Sequence, residues 1–226
     1  MKNALGQNRV FFSGWLFFVC VAALALAFYS KTEIQAWINT KHSVFFDFFF
    51  FYATKAAEGI GLSLLFLYTL LHTRAHLFSL ITGWSCAALT TQLLKHTLFE
   101  DIKRPRTVFK DTPGWHWVDG VRLYESASFP SGHTTDIFSL MCLLALWSGK
   151  KLTGACALVI ALLVGFSRIY LSQHFLPDVL TGSVIGVSWA LFWYRMFFRS
   201  QWAVRTPSLR KPILPFLTRE KDQLPL

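Results

Sequence analysis

Long stretches with no charged side chain constrain this chain more than anything else in it. Residues 10–30, 59–73, 75–94, 137–149, 152–167 and 179–194 contain no Asp, Glu, Lys or Arg. A helix needs about 20 apolar residues to cross a bilayer. Runs 10–30 and 75–94 meet that length unaided, and the shorter ones borrow flanking residues. The expectation is an all-α polytopic membrane protein with six transmembrane helices. The Phe-rich segment 44–52, which contains Asp47, reads either as an interfacial helix or as the start of the second span. With 54% hydrophobic and 15% charged residues, the composition lies outside the balance of a soluble globular domain.

Basic residues give an orientation. Lys2, Arg9, Arg74, Lys150, Lys151 and the basic residues from Arg195 to Lys221 fall on one side of a six-span layout. That side is expected to be cytoplasmic, with both termini there. The net charge of +10 then reflects this signal and contact with anionic lipid, and no nucleic-acid motif accompanies it. Run 10–30 also has features of a cleaved signal peptide, with Ala25-Leu26-Ala27 as a processing site. It exceeds the roughly 7–15 residues of a signal core, and its removal would put the basic tail outside, so retention is expected. Cys20, Cys86, Cys142 and Cys156 lie in apolar runs without pairing or metal spacing and read as packing residues. One membrane domain, residues 1–226, with a basic cytoplasmic tail at 201–226, accounts for the whole chain.

Against this apolar background the polar residues gather. In a six-span layout the loop at about 96–130 and the loop after the fifth span emerge on the same, extracytoplasmic face. Lys95, Arg104 and Arg106 come from the third span and its loop. Pro130-Ser131-Gly132-His133 opens the fourth span, and Ser167, Arg168, His174 and Asp178 bound the last loop. Singly, each has a plain structural reading: a lysine snorkelling to the interface, a solvated basic run, a hydrogen-bonding histidine. Convergence of three distant clusters on one face weakens those readings.

Ser131 and Gly132 precede an apolar run, so they are expected at a helix start, where unpaired N–H groups and the helix dipole suit a phosphate oxygen. Glycine there permits close approach. Pro177 reads as the first residue of the sixth helix, with Asp178 in its first turn and His174 just ahead. A carboxylate in that place holds one imidazole nitrogen and leaves the other free as a nucleophile. Arg168 offers a fixed fork of donors for phosphate. Two histidines, several cations and a helix start describe a phosphoryl-transfer site without evident metal ligands. Asp136 is expected to stabilise the helix start, Glu58 to lie at the membrane interface, and Trp115-His116-Trp117 to anchor there or to line a headgroup entrance.

These residues resemble the type 2 phosphatidic acid phosphatase family, which includes vanadium haloperoxidases. Ser167-Arg168, His174 and Asp178 match its third motif in full, and Pro130 to His133 match its second. The first motif departs: eight residues separate Lys95 from Arg104-Pro105, where the family usually has six, and Thr107 follows Arg106. The resemblance covers about 91–186 and implies a six-helix bundle of the membrane-bound branch. It further implies that His174 attacks phosphorus to give a phosphohistidine, with Asp178 holding its ring and His133 protonating the leaving oxygen. Lys95, Arg104, Ser131, Gly132 and Arg168 would bind phosphate, with Arg106 the weaker candidate, and neither metal nor cofactor is expected. Opposed protonation states of the two histidines imply a bell-shaped pH dependence.

The expected activity is hydrolysis of a phosphorylated or pyrophosphorylated lipid on the outer side of a bacterial-type inner membrane. Phosphatidic acid, phosphatidylglycerol phosphate, undecaprenyl pyrophosphate and the phosphates of lipid A are candidate substrates. Transfer of the phosphate to a second lipid, and non-catalytic binding of anionic lipid or a transport role, are the competing readings.

Overall fold

The computed structural model describes residues 8–214. Lys2 and the tail beyond residue 214, including Lys221, lie outside the described residues. Ten α-helices follow in order among them: α1 (Arg9–Phe28), α2 (Lys31–Asn39), α3 (Val44–Ala53), α4 (Ile60–Leu70), α5 (Arg74–Thr97), α6 (Pro105–Phe109), α7 (Gly132–Ser148), α8 (Lys151–Tyr170), α9 (Leu176–Arg199) and α10 (Gln201–Arg205). A 3-10 turn, Thr54–Ala57, joins α3 to α4, and another, Pro207–Arg210, follows α10.

Four helical runs are long and apolar enough to cross a membrane: α1, α5, α8 and Leu176–Arg205. The other two expected crossings fold as α4, of 11 residues, and α7, of 17. At 1.5 Å per residue these are roughly 17 and 26 Å long, short of a 30 Å hydrocarbon core. The Phe-rich segment is a helix of its own. Gly59, at φ 97°, takes a left-handed conformation that breaks the chain between the 3-10 turn and α4.

Helix α7 is the axis of the bundle and packs against α9, α8 and α5. Residues 137 to 143 of α7 are all buried, beginning with Ile137 and Phe138. Small residues on α9 explain how closely the two helices approach. A Cβ added at Gly182 would sit 2.7 Å from the Ser131 carbonyl oxygen, and one at Gly186 would collide with the Thr135 carbonyl oxygen. Lipid tails are as apolar as the side chains, so close packing rather than water exclusion holds such helices together. The outer surfaces are correspondingly apolar: Leu16, Phe17, Leu24 and Phe28 on α1 and Leu64 and Leu67 on α4 are exposed.

One end of the bundle carries the polar connections. Chain 98–131 folds back on itself there: the Arg104 amide donates to the Glu125 carbonyl (2.9 Å), the Ser128 amide to Ile102 (3.0 Å) and the Thr107 hydroxyl to Glu125 (2.6 Å). Trp115 and Trp117 pack within this loop, and His116 ties it to the bundle. Trp115 stacks on Phe109 at 3.8 Å, His116 pairs with Asp47 at 2.8 Å and stacks on His42, and Trp117 lies under the Arg106 guanidinium. All three rings are half-buried and used internally.

Candidate active site

The third cluster is organised by the start of α9. Phe175 is the N-cap, Pro177 falls in the first turn, and Asp178 is three residues beyond the cap. From there the Asp178 carboxylate reaches back over the preceding loop. Its Oδ2 accepts from the Phe175 amide (3.0 Å) and the Ser128 hydroxyl (2.5 Å), and lies 3.3 Å from His174 Nδ1. With Nδ1–H donating to that carboxylate, the lone pair of the ring is on Nε2, where Arg104 Nη1 stands at 3.4 Å. Burial pushes His174 far below the ordinary imidazole range, to about 3. The Asp178 hydrogen bond opposes this, and Arg104 and Arg168 reinforce it. The ring is therefore neutral at physiological pH.

The loop that presents His174 is held in an uncommon conformation. Ser172 has φ 52°, a left-handed value that costs a non-glycine residue energy and persists where neighbours enforce it. The neighbour is Gln35 of α2, whose amide donates to the Ile169 carbonyl at 2.8 Å and to the Ser172 hydroxyl at 3.3 Å. Gln173 in turn donates to the Arg122 carbonyl at 2.7 Å, joining this loop to the long one.

Arg104 is buried and multiply tied: Nε donates to the Ser126 carbonyl (2.8 Å), Nη2 to Ala127 (3.2 Å) and Nη1 to Gln173 (3.2 Å). The extra chain after Lys95 is taken up in the turns following α5, and the Arg104 guanidinium arrives at His174. Arg106 does not; it stacks on Trp117. Arg168 is also buried, donating through Nη1 to Thr54 Oγ1 (2.6 Å) and through Nη2 to Gln173 Oε1 (3.2 Å), while its Nε has no partner. Lys95, in the last turn of α5, lies buried within electrostatic reach of Arg104, Arg168, Asp178 and Asp136.

The second cluster opens α7. Ser131 is the N-cap, its amide donates to the Asp178 carbonyl at 3.1 Å, and its hydroxyl accepts from Thr134 at 2.9 Å. A Cβ built on Gly132 would meet nothing within 4 Å, so the backbone there borders open space. His133 follows, half-buried, and Asp136 faces Trp84 and Lys95 of α5 rather than capping the helix.

The structure thus gathers Lys95, Arg104, Ser131, Gly132, His133, Arg168, His174 and Asp178 at one end of the bundle and leaves Arg106 outside. It also adds residues the sequence reading did not assign to the site. Beside His133, Arg168 and Gln173 opens a cavity of about 250 Å³, lined on its other side by Thr54, Lys55 and Glu58 of the segment between α3 and α4. Glu58, expected at the membrane interface, faces His133: its Oε1 lies 3.5 Å from Nε2. Ser128 is a further addition. Its signal in the sequence was slight, two residues before Pro130 in a polar loop. Among the described residues no group of three or more His, Cys, Asp or Glu side chains converges as a metal site would require. The donors present suit an oxyanion.

The chain is similar to several known proteins. Phosphatidylglycerophosphatase B of Bacillus subtilis is 38% identical over 87 residues, covering 31% of this chain and 43% of that protein. The bacitracin transport permease protein BcrC of Bacillus licheniformis is 35% identical over 100 residues, covering 42% and 48%. The chain thus spans under half the length of these curated relatives. The crystal structure of Aquifex aeolicus LpxE superposes with a TM-score of 0.62 at 25% identity, over 73% of this chain and 94% of that one. The family model described as the PAP2 superfamily matches residues 73–202, more than half of the sequence and all three polar clusters, and the chain belongs to that superfamily.

Proposed function

We propose that this protein is a membrane lipid phosphatase that removes phosphate from a lipid phosphomonoester or pyrophosphate through a phosphohistidine at His174. The observation that carries the reading is a neutral, buried His174 with Nδ1 held by Asp178 at 3.3 Å and Nε2 facing the Arg104 guanidinium at 3.4 Å. His174 Nε2 attacks phosphorus and the bond to the leaving oxygen breaks as His133 donates a proton to that oxygen. Water then attacks phosphorus, His133 takes its proton, the P–N bond breaks and phosphate departs. Lys95, Arg104 and Arg168 offset the charge that builds on the phosphoryl oxygens. The unpartnered Arg168 Nε and the open space at Gly132 favour an oxygen ligand between α7 and α8. In this role Arg104 exchanges a contact with the ring for one with phosphate.

The substrate class includes phosphatidic acid, phosphatidylglycerol phosphate, undecaprenyl pyrophosphate and lipid A phosphates. We place the site on the extracytoplasmic face of a bacterial-type inner membrane, with six crossings and both termini cytoplasmic, because Arg9, Arg74, Lys150 and Lys151 lie at helix ends remote from it. A second reading, transport, draws on the name of the Bacillus licheniformis relative. The buried dyad favours catalysis.

The test is phosphate release by detergent-purified protein from a panel of these lipids in excess chelator. The expected result is release from at least one lipid, lost in His174→Ala. Phosphorylated acceptor lipid without free phosphate would assign a phosphotransferase instead. No turnover of any lipid, or an unaffected variant, would refute the proposal.

A further inference from the structure

Resting on the reading of His133 as the proton donor, we infer that Glu58 is its positioning residue, orienting the imidazole and favouring the protonated form that transfers to the leaving oxygen. His174 has its carboxylate from its own loop and helix, whereas nothing near His133 in sequence supplies one. The nearest acid along α7, Asp136, faces Trp84 and Lys95. The other charged groups facing His133 are Arg168 from α8 and Lys95 from α5, and both disfavour a second positive charge. Glu58 comes from the far wall of the cavity, 37% exposed at its side chain, with Oε1 3.5 Å from His133 Nε2. Its other oxygen is held by Lys55 Nζ at 2.8 Å, which keeps the carboxylate ionised and fixes its direction. A neighbouring anion favours the imidazolium. The 3.5 Å spacing is longer than a hydrogen bond, as contacts of this kind often are before substrate is bound.

The arrangement divides the labour between two carboxylates. Asp178 is buried and holds a neutral ring in one tautomer. Glu58 is open to water at the cavity mouth and balances a charged ring that must release its proton and regain it in each turnover. A carboxylate in contact with solvent suits that cycle, because the ring is charged in one half of it and neutral in the other.

The experiment compares wild type, Glu58→Gln, Glu58→Asp and His133→Ala on two substrates: a lipid phosphate, whose alkoxide needs a proton to leave, and p-nitrophenyl phosphate, whose phenolate leaves without one. The quantity read is kcat/KM across pH, which reports the first phosphoryl transfer. Glu58→Gln is expected to lose about 10–100-fold on the lipid and less than about threefold on the aryl ester, with the high-pH limb of the lipid profile moved down by about one unit. Glu58→Asp should recover much of the activity and the limb. Equal losses on both substrates, or an unmoved limb, would overturn the inference and leave Glu58 a surface partner of Lys55. His133→Ala separates the two levels of argument. If it too loses equally on both substrates, the proton-donor reading itself fails; if it is selective and Glu58→Gln is not, only the role of Glu58 falls.

Discussion

The two walls of the cavity beside His133 are built in opposite ways. One wall is the meeting of α7, α8 and α9, where Arg168, His174 and Asp178 are almost wholly buried and each side chain is tied to a neighbouring helix or loop. The other is the stretch from Thr54 to Glu58, a single 3-10 turn followed by a left-handed glycine, where Thr54 is buried, Lys55 half-buried and Glu58 exposed. The first wall has the rigidity that a nucleophile and its orienting group need. The second has the openness that a substrate headgroup and a proton donor in contact with water need. The contrast teaches that burial here separates chemistry from access: in the proposed mechanism the attacking ring is wholly buried and neutral, whereas the donor ring lies half-buried beside the cavity.

The rigid wall should be the more costly to disturb. Asp178→Asn, which leaves the shape and removes the negative charge that holds the His174 Nδ1 proton, should lower kcat by about a thousandfold with little change in KM, measured as phosphate release. Arg104→Ala should cost about a hundredfold and Arg106→Ala less than about threefold, since only the former reaches His174. Comparable effects at both arginines would show that the loop rearranges when lipid binds. Gly186→Ala should destabilise the protein by about 1–3 kcal/mol, read as a lowered thermal midpoint in detergent, because α9 must move off the Thr135 carbonyl to fit a Cβ. On the open wall, Thr54→Val removes the acceptor of the 2.6 Å bond from Arg168 and should raise KM by about three- to tenfold at nearly constant kcat.

The smallest effect concerns pH. The folded-state pKa of His174, about 3, lies below that of the unfolded chain, about 6.5. Stability from keeping this ring neutral is therefore complete above pH 6.5 and is lost as pH falls from there towards 3. The thermal midpoint should decline over that range, and His174→Gln should decline less. An identical decline in both would assign it to other groups.

The rigid wall was legible in the sequence and the open wall was not, for a physical reason. His174, Asp178 and Arg168 lie within eleven residues of one another at a helix end preceding Pro177, so local spacing alone places them together. Ser131 to His133 carry the signature of a helix start. Glu58 and Thr54 have no such context. They reach the site through the packing of the 3-10 turn against α7 and α8, a long-range consequence of folding. The same limit applied to the arginine pair: spacing left Arg104 and Arg106 open, and the pairing of residues 100–107 with 125–128 puts the first one inside. Helix lengths also departed from expectation. Uncharged runs mark where a chain can lie in lipid, whereas the ends of α4 and α7 are set by Gly59 and by Gly149, both left-handed.

The central claim is a covalent bond between His174 and phosphorus. Its most direct measurement is rapid quenching of purified protein mixed with a lipid carrying radiolabelled phosphate, followed by peptide mapping. The account predicts alkali-stable, acid-labile label on the peptide containing His174, absent from His174→Ala and accumulating in His133→Ala if water attack then becomes slow. Turnover of the lipid by His174→Ala, or label found on another residue, would contradict it.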